Sequence, residues 1–234
     1  MAIADLRRDY RIGGLDRTDL ETNPIPQFEK WFGDAAQTRS SSRWRQIGIA
    51  LYKLWHAVLG HLPADVNAMT LATVSAEGIP STRTVLLKGV DARGFVFFTN
   101  YDSRKGRELA VNPNAALTFF WPELERQICV TGTVAKLPTA ESEAYFKTRP
   151  RGSQLGAWAS NQSSVVENRA ALENQWQEAE SRFPGEVPMP AYWGGYVLSP
   201  HRIEFWQGRP SRLHDRFRYT RQPDGNWKLE RLSP

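Results

Sequence analysis

The densest set of chemistry-bearing side chains lies near the C-terminus: Ile203-Glu204-Phe205-Trp206-Gln207-Gly208, then Arg212-Leu213-His214-Asp215-Arg216. Two arginines, a histidine and an aspartate fall within five residues, close to an indole. Histidine titrates near neutrality, and an indole offers a flat face on which a planar ligand can stack. A solvated basic loop is the other reading. A second group is Asp102-Ser103-Arg104-Lys105. Asp102 or Ser103 suits a helix N-cap, which puts Arg104 and Lys105 in the first turn. Cations there oppose the helix dipole, at ~0.3–1 kcal/mol each. A bound anion reverses that sign, and backbone N–H groups beside two cations describe a phosphate site. The alternative is two solvated surface charges.

Three further groups could contact anions. Gln162-Ser163-Ser164 stands at the start of a helix expected over 164–183, where Ser163 could cap and also offer a hydroxyl. Most such serines only cap. In Tyr145-Phe146-Lys147-Thr148-Arg149-Pro150-Arg151-Gly152-Ser153, Tyr145 and Arg149 are four apart and share a helix face. Arginine can grip a phosphate with two parallel hydrogen bonds, although basic residues also suit a helix C-terminus for its own sake. In Ser81-Thr82-Arg83-Thr84-Val85-Leu86-Leu87-Lys88, strict alternation sends Arg83 and Lys88 to opposite faces. They serve one site only through a bulge, a strand end, or two ligands side by side.

Other chemistries lack their residues. There is no glycine-rich dinucleotide or Walker loop and no Gly-x-Ser-x-Gly elbow. His56, His61, His201 and His214 show no metal spacing, so no metal is expected. The lone cysteine, Cys129, excludes an intrachain disulfide and a cysteine-rich zinc site. The first 30 residues hold no apolar signal core, and no run of ~18 apolar residues spans a membrane. A cytoplasmic protein is expected. The net charge is +5, and residues 201–234 carry eight basic against four acidic side chains. These charges sit singly or in pairs at strand ends and turns, which suits small anions at least as well as a nucleic acid.

The elements that must position these groups are mostly strands. Strands are expected at 69–74, 81–88, 95–99, 115–121, 126–137, 192–198, 203–206, 217–220 and 227–231, joined by glycine-containing turns such as Pro223-Asp224-Gly225. Short helices are expected at 104–111 and 139–148, the second halted by Pro150. The helix at 164–183 carries Val165, Leu172, Trp176, Ala179 and Phe183 on one face, with Ser164 and Glu167 at capping-box spacing. The fold class is mainly β with peripheral helices (α+β), a β-barrel in a single domain over 1–234.

Trp206-Gln207-Gly208 followed by Arg212-Leu213-His214-Asp215-Arg216 resembles the C-terminal signature of the pyridoxine/pyridoxamine 5′-phosphate oxidase family. Other stretches agree in order and spacing: Leu6-Arg7-Arg8-Asp9-Tyr10, 83–88, Thr99-Asn100, Ser103-Arg104-Lys105, Leu124-Glu125-Arg126-Gln127, 145–153, Gln162-Ser163-Ser164 and Trp193-Gly194-Gly195. The resemblance implies an FMN-binding split β-barrel working as a homodimer, with the flavin at the subunit interface. It places FMN contacts on Arg83, Thr84, Val85, Leu86, Leu87, Lys88, Phe98, Thr99, Arg104, Lys105, Gln127, Gln162, Ser163, Trp206 and Arg216. The family often has tyrosine where Phe98 stands, and glutamate is also common where Asp9 stands. The substrate phosphate meets Lys88, Tyr145, Arg149 and Ser153, while Arg212, Leu213 and His214 face the pyridine ring. Arg7, Arg8, Asp9 and Tyr10 belong to an N-terminal lid over about 1–20.

Two phosphorylated ligands need two anion sites, and the cations divide accordingly, so that Arg83 and Lys88 could face different ligands. The activity implied is hydride transfer from substrate C4′ to flavin N5, with O2 as acceptor and H2O2 as product. The phosphorylated B6 vitamers pyridoxine and pyridoxamine 5′-phosphate both become pyridoxal 5′-phosphate. Arg212 and His214 are the catalytic candidates. The rivals are another split-barrel flavin oxidoreductase and a non-enzymatic flavin or pyridoxal phosphate carrier. A nucleic-acid binder is more distant. Relative to the family pattern, residues at about 40–63 read as an insertion. Trp44, Ile47, Leu51, Leu54, Trp55 and Val58 make it an amphipathic helix. It is expected to pack within the dimer rather than on a membrane, and to supply no catalytic group.

Overall fold

The computed structural model describes residue 3, residues 9–40 and residues 65–234 of the chain. Arg7, Arg8 and the expected helical insertion lie outside the described residues. By its internal contacts the chain divides into two compact units, one of residues 70–116 and 131–200, the other of 1–69, 117–130 and 201–234. Three long strands, β5 (Asn114–Trp121), β6 (Arg126–Lys136) and β7 (Trp193–Gln207), contribute residues to both.

The strands follow the order β2-β1-β5-β6-β7-β4-β3, with β8 on β7 and β9 on β8. Here β1 is Ala68–Val74, β2 Pro80–Leu86, β3 Gly89–Asp91 and β4 Gly94–Asn100. The strands β8 and β9 are Asp215–Arg221 and Trp227–Leu232. In β1 every second side chain, Met69, Leu71 and Thr73, is buried, the period-2 signature of a strand with one covered face. The strand β4 is buried almost throughout, because it pairs antiparallel with β3 on one side and β7 on the other. Its one half-exposed side chain is Phe98, which lies opposite Gly195 in the β7 register. A Cβ on Gly195 would come within 2.8 Å of the Phe98 ring, so the glycine makes room for it.

The expected strands at 192–198 and 203–206 are one continuous strand, β7. Pro200 lies in it, which a sequence pattern reads as a break. The proline is tolerated because β7 changes partner there: 193–198 pair with β4 and 202–207 with β8. A residue without an N–H therefore falls between the two ladders. The expected strand at 81–88 ends at Leu86. The expected terminal hairpin forms, with Gly225 at φ 86° and Gln222 N–H bonded to Asn226 O at 2.8 Å.

Five helices are described. α1 (Pro24–Ser40) is not announced by the sequence, since Pro24 and Pro26 look like breakers. Both fall in its first turn, where the N–H that proline lacks has no intrahelical partner anyway. Within its own unit α1 buries Phe28 and Trp31, the latter edge-on to Phe205 at 5.2 Å. α2 (Arg104–Val111) and α3 (Thr139–Thr148) have the expected bounds. Pro150 stops α3 and also starts α4 (Arg151–Ala159), a helix the sequence pattern hides. α5 runs Arg169–Arg182, five residues shorter at its start than expected. Asn168, not Ser163 or Ser164, is its N-cap, accepting from Ala171 N–H at 2.8 Å. Val165 is consequently fully exposed instead of lying on the apolar face. Trp176, Ala179 and Phe183 do pack, on a cluster with Phe146, Leu155, Val187 and Trp193. Among the described residues, no helix is long and apolar enough to cross a membrane, and no cluster could hold a metal ion.

Candidate functional site

A cavity of about 950 Å³ opens in the unit of residues 70–116 and 131–200. Its wall comprises Ser81 to Leu86 of β2, Lys88, and Phe98 to Asn100 of β4. Arg104 and Lys105 of α2, Tyr145 and Thr148 of α3, Arg149, and Ser153 of α4 add to it, with Gln162, Ser163 and Trp193. The early end of β2 resolves the alternation conflict. The chain leaves the strand after Leu86, and Lys88 N–H bonds to Val96 O at 2.8 Å. Arg83 and Lys88 then line one cavity despite their opposite parity. Leu87 does not line it; its side chain is in the core.

One cationic group gathers at the start of α2. Ser103 caps the helix, accepting from Gly106 N–H at 3.3 Å. Lys105, in the first turn, is only 8% exposed. Its ammonium donates to Gln162 Oε1 at 2.9 Å, Thr99 Oγ1 at 3.0 Å and Ser103 Oγ at 3.3 Å. All three acceptors are neutral. Burial, with the charge of Arg83, pulls its pKa down from 10.5 to about 8. Glu108, one turn on, is 7% exposed. Burial alone would raise its pKa, but hydrogen bonds from Ser81, Thr73 and Arg104 outweigh that and hold it at about 2. Burial likewise lowers Arg83 from its ordinary value, partly offset by Glu108.

The other group surrounds Arg149. Phe98 stacks on Tyr145 with ring centroids 3.9 Å apart and on Trp193 at 5.4 Å. The Arg149 guanidinium lies 4.7 Å over the Trp193 ring. Its Nη1 is buried with no hydrogen-bond partner among the described residues. Burial lowers its pKa from the ordinary value, yet a guanidinium stays charged. An unpartnered buried N–H of a cation calls for an acceptor. A phosphate oxygen meets that need, and the residues present fit two phosphorylated ligands.

The remaining candidates lie in the other unit. Trp206 and Tyr10 meet edge-on at 5.4 Å, and His214 lies 4.6 Å from Trp206 and 5.6 Å from Tyr10. A Cβ on Gly208 would come within 2.7 Å of Tyr10, so glycine lets that ring approach. Arg209 N–H donates to His214 Nδ1 at 3.1 Å, fixing that nitrogen as an acceptor. Burial and the charges of Arg212 and Arg216 lower the His214 pKa. Ser211 and Arg212 hold φ of 56° and 62°, left-handed values that cost non-glycine residues roughly 1–3 kcal/mol each. Leu213 is 69% exposed. Arg216 is committed to Glu204 at 2.7 Å and Ser233 O at 3.0 Å. Asp215 accepts from Leu15 N–H at 3.0 Å and from Arg231. Asp9 pairs with Arg11 at 3.0 Å, and Gln127 donates to Cys129 Sγ at 3.3 Å.

Sequence reasoning missed Glu108 and Thr73, which join Ser81 and Arg83 across stretches of chain up to 35 residues apart, and the role of Trp193 as a platform for Arg149.

Residues 59–183 match the family described as pyridoxamine 5′-phosphate oxidase. Residues 193–234 match the pyridoxine 5′-phosphate oxidase C-terminal dimerisation region. The pyridoxine/pyridoxamine 5′-phosphate oxidase 1 of Ralstonia nicotianae is 53% identical over 233 residues, covering 100% of this chain and 99% of that protein. The corresponding protein of Cupriavidus necator is 52% identical over 232 residues, covering 99% of each. These relatives are matched end to end, so the segment at about 40–63 is not additional length relative to them. Among solved structures, PhzG from Burkholderia lata 383, in complex with tetrahydrophenazine-1-carboxylic acid, aligns with a TM-score of 0.77 at 29% identity. The alignment covers 93% of this chain and 95% of that one. The expected fold class, mainly β with peripheral helices in the split-barrel manner, is the fold of this chain. The chain belongs to the pyridoxine/pyridoxamine 5′-phosphate oxidase family.

Proposed function

We propose that this chain is an FMN-dependent oxidase that converts pyridoxine 5′-phosphate or pyridoxamine 5′-phosphate to pyridoxal 5′-phosphate. Its acceptor is O2 and its product H2O2, and it acts as a cytoplasmic homodimer. The observation that carries the reading is the division of the cavity's cations into two groups on different elements. Arg83, Arg104 and Lys105 gather about α2, and Arg149 lies over Trp193 beside the Phe98–Tyr145 stack, with Lys88 and Ser153 also on the cavity wall. One group suits the flavin phosphate and the other the substrate phosphate. The family match supplies the ligands' identity.

When bound, FMN supplies a two-electron acceptor for the substrate C4′ carbon and a route for those electrons to dioxygen. The chain's own groups bind and orient. Lys105 and Arg104 neutralise the flavin phosphate, with Thr99, Gln162 and Ser163 as polar neighbours. Arg149 takes the substrate phosphate through its unpartnered Nη1. Lys88, Tyr145 and Ser153 add donors beside it. Arg212 and His214 orient the pyridine ring, and Leu213, Trp206, Gln127 and Arg216 complete the contacts in the dimer. His214 Nδ1 is already occupied by Arg209 N–H, which leaves Nε2 as the nitrogen that meets substrate.

The likeness to PhzG makes a different substrate on the same fold the second reading. The buried, unpartnered arginine favours a phosphorylated one. Incubating the FMN-loaded protein in air with pyridoxine 5′-phosphate should yield pyridoxal 5′-phosphate and an equal amount of peroxide. Unphosphorylated pyridoxine should react far more slowly. Equal rates on both would contradict the substrate reading, and a flavin-loaded protein inert to both would favour a carrier.

A further inference from the structure

Glu108 is a carboxylate buried on the inward face of α2, and it touches every part of the α2 cation group except Lys105. Its Oε1 accepts from Arg104 Nε at 2.8 Å. Its Oε2 accepts from Ser81 Oγ at 2.6 Å and from the Thr73 hydroxyl, and lies 3.4 Å from Arg83 Nη2. The same two hydroxyls accept from Arg83: Nη2 donates to Ser81 Oγ at 2.6 Å and Nη1 to Thr73 Oγ1. Nη1 also reaches Leu71 O at 3.3 Å. Each hydroxyl thus accepts a hydrogen bond from the guanidinium and donates one to the carboxylate. Such chains polarise one another and resist rotation of any member.

Burying a carboxylate is costly unless it is paired and hydrogen-bonded. One whose role was only to neutralise charge could sit exposed beside Arg104. This one is placed to fix two guanidiniums from different elements, Arg83 on β2 and Arg104 on α2. Engaging Arg104 through Nε leaves both of its Nη groups uncommitted among the described residues, and Arg104 lines the cavity.

We infer that Glu108 is a positioning residue for flavin binding, orienting Arg83 directly and through Ser81 and Thr73, and Arg104 directly, so that both cations meet the flavin phosphate in fixed geometry. The inference rests on the flavin reading above. It makes a counter-intuitive prediction of sign. If Glu108 acted by charge alone, removing it would leave the site more positive and FMN would bind more tightly. If it positions the arginines, removing it loosens them and FMN binds more weakly.

The test measures the dissociation constants of FMN and riboflavin by flavin fluorescence, using the full chain freed of flavin. Riboflavin lacks the phosphate, so the ratio of the two constants isolates the phosphate's share. Glu108→Gln should lower the preference for FMN by at least about tenfold, the loss of one charge-assisted hydrogen bond, with riboflavin affinity unchanged. Glu108→Asp should recover part of it. Ser81→Ala, which leaves the carboxylate in place, should shift the ratio the same way by less, and serves if Glu108→Gln does not fold. An unchanged or increased preference for FMN in these variants, or an equal weakening of both flavins, overturns the inference. Should the wild-type chain itself not prefer FMN, the flavin reading falls and the inference with it.

Discussion

The Arg149 guanidinium lies 4.7 Å over the Trp193 ring while its Nη1 is buried without a hydrogen-bond partner. The indole holds the cation in place by a cation–π contact but satisfies none of its N–H groups. Such a group is a standing cost in the unliganded protein and an asset once an anion arrives. Arg149→Ala should therefore raise KM for the phosphorylated substrate by about ten- to a hundredfold, from a lost charge-assisted contact. Flavin should stay bound, and the melting temperature of the unliganded protein should fall little or rise. Steady-state kinetics and thermal melts of the one variant check both halves; a large drop in stability would show that the arginine is structural.

Lys105 gives a pH dependence. Its pKa is about 8 in the unliganded site, against 10.5 when solvated. Between those values the unfolded chain holds more protons than the folded one, so this group's penalty is full below pH 8 and fades as pH rises through the window. A phosphate favours the protonated ammonium, so binding above pH 8 must take up a proton. FMN affinity should weaken as pH rises beyond about 8, by at most about tenfold per unit. Lys105→Met should bind FMN more weakly with the pH dependence lost. A wild-type affinity flat to pH 9.5 would contradict this.

The first turn of α5 offers a test of local structure apart from the site. Asn168→Ala removes the cap on Ala171 N–H and should cost ~1 kcal/mol of stability. Ser164→Ala should cost nothing measurable. Both should keep wild-type turnover, as seen in denaturant midpoints and a peroxide assay.

Arg212→Ala should lower kcat/KM by about ten- to a hundredfold through one lost charged contact and leave FMN bound. His214 should be neutral at pH 7 with the proton on Nε2, because Nδ1 accepts from Arg209 N–H. Nitrogen-detected NMR reads the tautomer directly. Flavin loss in the arginine variant, or a protonated Nδ1, would show the assignment to be wrong.

The strands, the bounds of α2 and α3 and the terminal hairpin were legible in the sequence because period-2 burial and turn glycines are local signals. Three features at prolines were not read from the sequence: α1, which opens with Pro24 and Pro26, α4, which begins after Pro150, and the continuity of β7 through Pro200. At the helix starts the N–H that proline lacks has no intrahelical partner, and in β7 Pro200 falls between the β4 and β8 ladders. The start of α5 was misread because Ser164 and Glu167 have capping-box spacing, yet Asn168 offers the better cap. Arg83, Lys88, Arg104, Lys105, Tyr145, Arg149 and Ser153 were legible as anion-binding types. That they line one cavity required the β2 strand end after Leu86. Glu108 was invisible, since nothing in a linear sequence marks which glutamate is buried against two arginines.

An anaerobic titration of the FMN-loaded protein with pyridoxine 5′-phosphate, followed by flavin absorbance, tests the oxidase reading. The oxidised band should be lost with one substrate per flavin, pyridoxal 5′-phosphate should be released, and the band should return on admitting air. A flavin band that stays unbleached by saturating phosphorylated vitamer, while the protein remains folded and flavin-loaded, would contradict it.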